Sequence, residues 1–561
     1  MTPMAIRPVW IACVLAGCAS GPLVPEVRFA NAPIAVAVND RLDVQRAPHD
    51  RLFLPDTYVW DGTIGRRVSR ALELPRDRRA LGVNALDEVP DSTWFTNRIG
   101  VRELTPDEIR NGPLTDDPER HKPWMIHSTK IGGTAPGLII KDASGVKYLL
   151  KFEPADQLPE LESGNHVVVN RLLWACGYNV AEDRIVYLRP EDLVLAPDAT
   201  VKNLAGDSQR KLGRAELERD LKTVRHEPDG RIRVLASRWI DGVTLGGHPG
   251  EGVREDDPND QIPHELRRDL RGAYPIYAWV DSVDVTEGQY VDSWVTDPAD
   301  PKRHYLKHYL IDFGKSLGAM GSMGFDWWRG VYYHIDLAGM LQNLVTLGLA
   351  DRPWQHRHAP QIKGVASLFE AQTFDPGSWH PDSAGYLPFR TADRFDKFWG
   401  AKLIARFTRA QIRAAVEAGR FSDPRAVDYI TDTLVARQRA TAAYWFARVN
   451  PLDRFSLEAA GRDELCFDDL AIIARLAPAD TTRYTATSYD MDGREIEAHD
   501  SPAASNGHAC ARIRLAADDR RDGYTIVQLA TARPGFVGDT FVHVARDPAT
   551  GAPRVIGIWR R

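Results

Sequence analysis

Tyr305-Leu306-Lys307-His308-Tyr309-Leu310-Ile311-Asp312-Phe313-Gly314 is the stretch on which the fold turns. An apolar strand runs straight into Asp312-Phe313-Gly314, and the glycine lets the backbone turn sharply. Asp-x-Gly triplets are most often plain turns. The meaning of this one therefore depends on what stands at fixed distances from it.

Working upstream, Asp284 lies 28 residues earlier, in Trp279-Val280-Asp281-Ser282-Val283-Asp284-Val285-Thr286-Glu287-Gly288-Gln289. The interval holds Tyr290 to Val295, a turn at 297–301 and the strand into Asp312. That is a hairpin, and it brings Asp284 and Asp312 to the same end of a sheet. Gln289 adds an amide oxygen of the kind that ligates hard cations. Further upstream, Lys151 ends the strand Lys147-Tyr148-Leu149-Leu150-Lys151-Phe152. Alternation puts Lys147, Leu149 and Lys151 on one face. Burying the Lys151 stem leaves its ammonium in need of a partner. Before it, Trp124 to Lys130 and Leu138 to Lys141 read as strands, with Gly145 suited to a hairpin turn at positive φ. The turn at Gly132-Gly133-Thr134-Ala135-Pro136-Gly137 has amides for a phosphate, although Pro136 offers none; a simple hairpin turn fits it equally. A helix follows from about Glu160 to Cys176, ended by Gly177. Glu160 or Glu162 could reach Lys151, with Glu162 preferred. Acidic residues also suit a first helical turn on macrodipole grounds alone.

Taken together, residues 123 to about 460 resemble atypical branches of the protein-kinase superfold, in the style of HipA-type serine kinases, phosphoinositide kinases and spore-coat kinases. The resemblance implies an α+β, two-lobed protein-kinase-like fold. A small β-rich N-lobe would occupy 123–240 and a helical C-lobe 241–476. By that resemblance Lys151 contacts ATP phosphates and serves catalysis, Glu162 is its ion-pair partner with the His166 position as the alternative, and Gly132, Gly133 and Gly137 cover the phosphates. Asp284 is the catalytic carboxylate. Asp312 and Gln289 hold Mg²⁺ or Mn²⁺ with ATP. Gln289 is a departure, because Asn is usual five residues after the catalytic Asp. Its longer arm carries the amide oxygen about one bond length further.

The chain also resembles a group of bacterial lipoproteins that share three blocks. These stand here as Asp87-Glu-Val-Pro-Asp-Ser-Thr-Trp-Phe-Thr-Asn-Arg98, Asp256-Asp-Pro-Asn-Asp-Gln-Ile-Pro-His264 and His308-Tyr-Leu-Ile-Asp-Phe-Gly314. The N-terminus fits this. Arg7 precedes an uncharged run, and Leu15-Ala16-Gly17-Cys18 resembles a lipobox. The resemblance implies a signal peptide at 1–17, cleavage before Cys18 and lipidation of its thiol. Ala19 after the cysteine favours the outer membrane, facing the periplasm. Two or three acyl chains at about 0.8 kcal/mol per buried methylene hold a protein stably. An ordinary signal peptide cut nearby, or a buried N-terminal helix, is the plainer alternative.

Residues 18–50 read as a tether, and 51–122 as an extension packing on the core. Thr105-Pro106-Asp107-Glu108 opens a short capped helix. Leu266, Leu270, Ala273, Tyr277 and Val280 predict one buried helix face kinked at Pro275. Helices are expected at 327–350, 391–419 and 423–449, the firmest parts being 401–420 and 426–448. From about Ala477 to residue 561, alternating runs between Asp-Gly, Pro-Gly and Thr-Gly turns predict a small all-β domain.

The 561 residues carry a net charge of −6, which gives no support for nucleic-acid binding. Of five cysteines, Cys176 reads as a buried thiol, and Cys466 and Cys510 either pair or stay free. No Cys-x-x-Cys, P-loop, Gly-x-Ser-x-Gly or His-Glu-x-x-His run occurs, so zinc-ribbon, P-loop, hydrolase and metalloprotease readings have no anchor. The acidic run Glu255 to Asp260 reads as a loop and N-cap rather than a metal or substrate site. His304 and His308 share a strand face and read as structural. The leading function is a lipid-anchored kinase-like enzyme. The alternatives are a pseudokinase-like module holding an envelope protein or polymer, and a structural lipoprotein whose spacings are accidental.

Overall fold

Strands β1 (Trp124–Thr129), β2 (Gly137–Lys141) and β3 (Lys147–Phe152) form the antiparallel meander that the turn residues dictate, with Gly145 at φ 89° between the last two. The structure is a computed structural model. It describes residues 24–51, 58, 60–65, 68, 78–130, 135–203, 206–319, 337–350, 359–366, 368–381, 385–457, 463–517 and 522–561. The signal segment 1–17, Cys18, Gly132 and Gly133 lie outside the described residues.

The fold is mixed α+β. Strands β4 (Asp183–Leu188), β5 (Leu193–Lys202), β6 (Ser208–Lys211) and β7 (Ile232–Arg238) complete a seven-stranded sheet in the order β4-β7-β3-β2-β1-β5-β6. Among the described residues its one parallel pair is β1 with β5. Helix α1 (Pro106–Asn111) starts on a Thr105–Glu108 capping box, as its sequence requires. Helix α2 (Leu161–Cys176) ends against Gly177 at φ 130°, where a Cβ would strike the Phe95 ring. Strand alternation sends Tyr148, Leu150 and Phe152 into a core with Trp124, Ile140 and Val234. Lys151 faces the opposite way, in register with Leu235, which in turn opposes Ile185. Val167 of α2 packs on Ile185 and Leu235. The face that carries Lys151 is therefore the face that α2 covers. Strands β5 and β6 and helix α3 (Arg214–Leu221) were not legible, because β6 is wholly exposed and β5 has no clean alternation.

The expected single helix over 266–280 is instead a 3₁₀ turn (His264–Leu266), helix α4 (Arg268–Arg271) and helix α5 (Tyr274–Trp279). Arg267 leaves the helical region at ψ 126°, and Pro275 falls in the first turn of α5, where its missing N–H is not needed. Strands β8 (Val243–Thr244), β9 (Tyr290–Asp297) and β10 (Asp300–Leu310) form a second antiparallel sheet in the order β10-β9-β8. The β9–β10 pair is the hairpin expected between Asp284 and Asp312. Helix α6 (Leu337–Val345) is the described part of the helix expected at 327–350. After α7 (Leu387–Thr391), the helix expected at 391–419 proves to be two, α8 (Arg394–Ala405) and α9 (Arg409–Ala418). Thr408 caps α9 in a box with Gln411, a start signal that the helical periodicity masked. Helix α10 (Pro424–Phe446) runs as read.

Strands begin again at β11 (Leu452–Leu457) and β12 (Glu464–Asp469), ahead of a short α11 (Leu470–Ile473). β13 (Arg483–Asp490), β14 (Glu495–Pro502), β15 (His508–Arg512), β16 (Thr525–Arg533), β17 (Phe536–Arg546) and β18 (Pro553–Arg560) follow. They form two sheets, β11-β12-β15 and β14-β13-β16-β17-β18. Cys466 and Cys510, directly opposite on β12 and β15, are disulfide-bonded. Cys176 is buried, and burial pushes its thiol well up.

His543 of β17 is fully buried, its Nδ1 2.9 Å from the Tyr524 hydroxyl. Burial, aided by Arg28, pulls its pKa down to about 3. The unfolded chain then binds a proton below pH ~6.5 that the folded chain refuses, so His543 makes stability fall with pH in that window. Between pH 6.5 and 5 the wild type is expected to lose about 1.6 kcal/mol more than His543→Asn, read by urea unfolding at both pH values. Equal slopes would refute it.

Residues 24–51, read from composition as a tether, lie along the body instead. Val24 is buried among Tyr489, Tyr524 and Ile526, and Arg28 donates to the Met491 carbonyl. Val44 N donates to His304 O, and Arg51 N to Leu245 O. Among the described residues, no helix is long and apolar enough to cross a membrane.

A buried ionic network joins distant parts of the chain. Asp396 takes Arg268 at 2.7 Å and Arg271 at 2.6 Å; Asp87 takes Arg268 at 3.0 Å and Arg560 at 3.2 Å. Asp453 takes Arg560 at 2.9 Å and Lys402 at 3.1 Å, and Lys402 also pairs with Glu88.

Candidate functional site

Lys151 and Asp312 meet. The Lys151 Nζ donates to Asp312 Oδ1 at 2.6 Å, joining the end of β3 to the turn after β10. Asp312 sits at φ 62°, a left-handed conformation that few residues other than glycine adopt. Such strain persists where surrounding contacts enforce it. Phe313, which is buried, contacts the His166 ring at 5.4 Å and fixes the turn on α2. A Cβ on Gly314 would lie 2.7 Å from Glu162 Cγ, so the glycine lets Glu162 close over the turn. Asn165 of α2 donates to Ser316 O at 2.9 Å and extends the same contact.

The electrostatics follow from this packing. Burial pulls the Lys151 ammonium down, but the Asp312 carboxylate outweighs it, and the pKa stands above its usual value. Burial pushes Asp312 up, and Lys151, with His166 and Lys130, overrides it and holds the carboxyl well below the ordinary range. Glu162 is raised by burial, Lys151 opposing and Asp312 adding to the rise. Lys130, at the end of β1, is lowered by burial and by Lys151. Two ammonium groups and two carboxylates thus share one region. The Asp312 side chain is 46% exposed and that of Lys151 13%, so solvent reaches the acid and screens the pair.

The other expected residues are arranged as follows. Gly137 is the cross-strand partner of Lys151, and a Cβ there would lie 2.6 Å from Leu150 O; glycine is what the close approach allows. Glu162 lies beside Lys151, but the ion pair that Lys151 makes among the described residues is with Asp312. Glu160 turns away to Lys363 at 2.6 Å and caps Ser422 N. Asp284 pairs with Lys315 at 3.0 Å, three residues beyond Asp312, and Val283 N donates to Lys315 O. Asp281 is buried and accepts from Trp379 Nε1 at 3.0 Å, with Arg437 4.0 Å away. The Gln289 backbone carbonyl accepts from Ile311 N at 3.0 Å, directly beside Asp312. Its side-chain oxygen, however, accepts from Thr286 N at 3.1 Å and from the Thr286 hydroxyl, in a capping box on a 3₁₀ turn.

One group escaped the sequence reading, and His166, the alternative to Glu162, meets a different partner. Lys130 was visible only as a strand end. His166 is buried, with its Nε2 2.8 Å from Asp183 Oδ2, so a hydrogen bond tethers α2 to β4 behind Lys151. Helical periodicity marks His166 as interior but does not name its partner. A cleft of about 300 Å³ lined by Arg98, Trp174, Arg238, Trp239 and Lys307 lies elsewhere and includes none of Lys151, Asp284, Gln289 or Asp312. For the chemistry, the side-chain geometry around Asp312 outweighs that cleft's size.

No family model and no curated protein matches the sequence. Among solved structures, the chain is similar at 11% identity to a Golgi casein kinase with Mn and ADP bound, over 60% of this chain and 73% of that chain, with a TM-score of 0.28. A second Golgi casein kinase structure is 9% identical over 74% of this chain and 96% of that chain, with a TM-score of 0.29. Scores this low carry no argument about fold or activity.

Proposed function

We propose that this protein has an atypical kinase-like architecture that binds ATP with Mg²⁺ or Mn²⁺ and transfers phosphate to a hydroxyl. The observation that carries the reading is the 2.6 Å contact between Lys151 Nζ and Asp312 Oδ1. A cation at a strand end and a carboxylate on a strained turn, joined across two sheets, are what a phosphate–metal site needs. When nucleotide enters, Lys151 exchanges Asp312 for phosphate oxygens, and Lys130 adds a second cation nearby. Asp312 suits a hard divalent ion, being ionised and half-exposed. Gln289 fits only after its amide oxygen leaves Thr286. A bound ion would neutralise phosphate charge. Asp284 accepts the proton of the acceptor hydroxyl, whose oxygen bonds to the γ-phosphorus as the bond to the β-bridging oxygen breaks and ADP leaves.

A second reading, binding without transfer, draws support from the same amide. With Gln289 held by Thr286, the site keeps one carboxylate for the ion. The two readings separate in one experiment. With ATP and Mn²⁺ at about 100 times the dissociation constant, the chain should gain about 2.7 kcal/mol of stability, read as a rise in the melting temperature. No shift would sink both nucleotide readings. A shift without phosphotransfer favours the binding module, and transfer gained by Gln289→Asn would trace the defect to that amide.

The cell envelope is the proposed location, with lipid on Cys18 and an envelope protein or polymer as partner. The Cys466–Cys510 bond supports an oxidising compartment. Cys18→Ser should move the protein from the membrane to the soluble fraction.

A further inference from the structure

The three sequence blocks at 87–98, 256–264 and 308–314 converge on one buried point that the nucleotide reading does not use. Trp94, from the first block, stacks on His308, from the third, at 3.5 Å and 14°. Its ring meets His248 edge-on at 4.7 Å and His264, from the second block, at 5.1 Å. Under this aromatic lid, Asp292 of β9 stands directly opposite His308 of β10 in the strand register. Asp292 Oδ1 lies 2.7 Å from His308 Nδ1 and 3.2 Å from His248 Nδ1, while Asp292 Oδ2 takes Arg254 Nη1 at 3.0 Å. The side chains of His248, Asp292 and His308 are at most 3% exposed.

Hydrogen bonding alone leaves this cluster short of partners. Among the described residues, His248 Nε2, His308 Nε2, Asp257 Oδ2 and Asp260 Oδ1 are buried without one. Buried polar atoms are normally paired with protein, water or an ion. A cavity of about 10 Å³, lined by His248, His308 and Trp94, has room for one water.

We propose that His248, Asp292 and His308, whose ligand atoms lie within 4.8 Å of one another, form a three-ligand zinc site, its fourth position taken by water, that clamps the β9–β10 hairpin to the 248–264 loop and to Trp94. Two imidazole nitrogens and one carboxylate oxygen suit Zn²⁺ better than Mg²⁺ or Mn²⁺, which prefer oxygen. Ligand atoms about 2.1 Å from a tetrahedral ion stand about 3.4 Å apart, so the donors facing Asp292 need to open by only about 0.2–0.7 Å. With the ion on Nδ1, each Nε2 carries the proton and turns it towards a water in the cavity that His248 and His308 line.

The site is independent of the nucleotide reading, and its test keeps the two apart. Full-length protein expressed in zinc-supplemented medium and dialysed should carry about one zinc per chain by mass spectrometry of the metal. Asp312→Ala should keep it, and His308→Gln should lose at least about nine-tenths of it. Because His308→Gln could misfold, the wild type carries a second readout. Unfolding with chelator and refolding with Co²⁺ should give the visible absorption of a tetrahedral nitrogen–oxygen site. Zinc-free wild type with no cobalt spectrum overturns the proposal, as does full zinc retention in a folded His308→Gln.

Discussion

Asp312→Ala should weaken Mn²⁺–ATP binding at least 100-fold, equivalent to about 3 kcal/mol. The substitution removes the carboxylate proposed to hold the ion and leaves Lys151 without its ion-pair partner. The two halves of the pair are not equivalent. Lys151 is the more buried, and burial alone pulls its ammonium towards neutrality, so Asp312→Ala strands a buried cation beside Lys130. In Lys151→Met the half-exposed Asp312 rehydrates, and metal binding survives while phosphate contacts go. Titrating Mn²⁺ alone and then with ATP, by calorimetry, should show Asp312→Ala failing in both steps and Lys151→Met failing mainly in the second. Equal Mn²⁺ affinity in wild type and Asp312→Ala would remove Asp312 from the metal role.

The largest stability loss is expected from Asp396→Ala. Asp396 is fully buried between Arg268 and Arg271, and it also closes the capping box at the start of α8. Removing it leaves two buried guanidiniums with one acid fewer, a change that costs about 3–5 kcal/mol when a buried pair is broken. Asp432→Ala is the contrast. Its pair with Arg409 is 61% and 54% exposed and should contribute at most about 1 kcal/mol. Denaturant unfolding of both variants checks the difference, and similar losses would contradict it.

The sequence revealed most where one local rule decided the outcome. The β1–β2–β3 meander, the α1 cap, the α2 terminus and α10 all follow from turn residues, caps and periodicity. Lys151 and Asp312 were legible for the same reason, since each ends a strand where an apolar pattern stops. Their meeting was not, because it depends on β3 lying centrally in a seven-stranded sheet and on α2 bridging to Gly314. The Gln289 surprise was partly readable. Thr286-Glu-Gly-Gln289 has the capping-box form, just as Thr408-Arg-Ala-Gln411 does, and in both places a competing reading hid it. His248, Asp292 and His308 come from three elements, so no spacing announces them. Ionic partners such as Asp87 and Arg560 lie almost a whole chain apart.

Val24 sits in the core of the C-terminal sheet, only six residues beyond Cys18. If Cys18 carries lipid, a fully extended chain reaches about 20 Å at most between bilayer and sheet. The protein would then hang on a short leash. Its working radius would be set by the rigid body rather than by a sweeping linker, and any substrate or partner would have to come to that membrane-hugging layer.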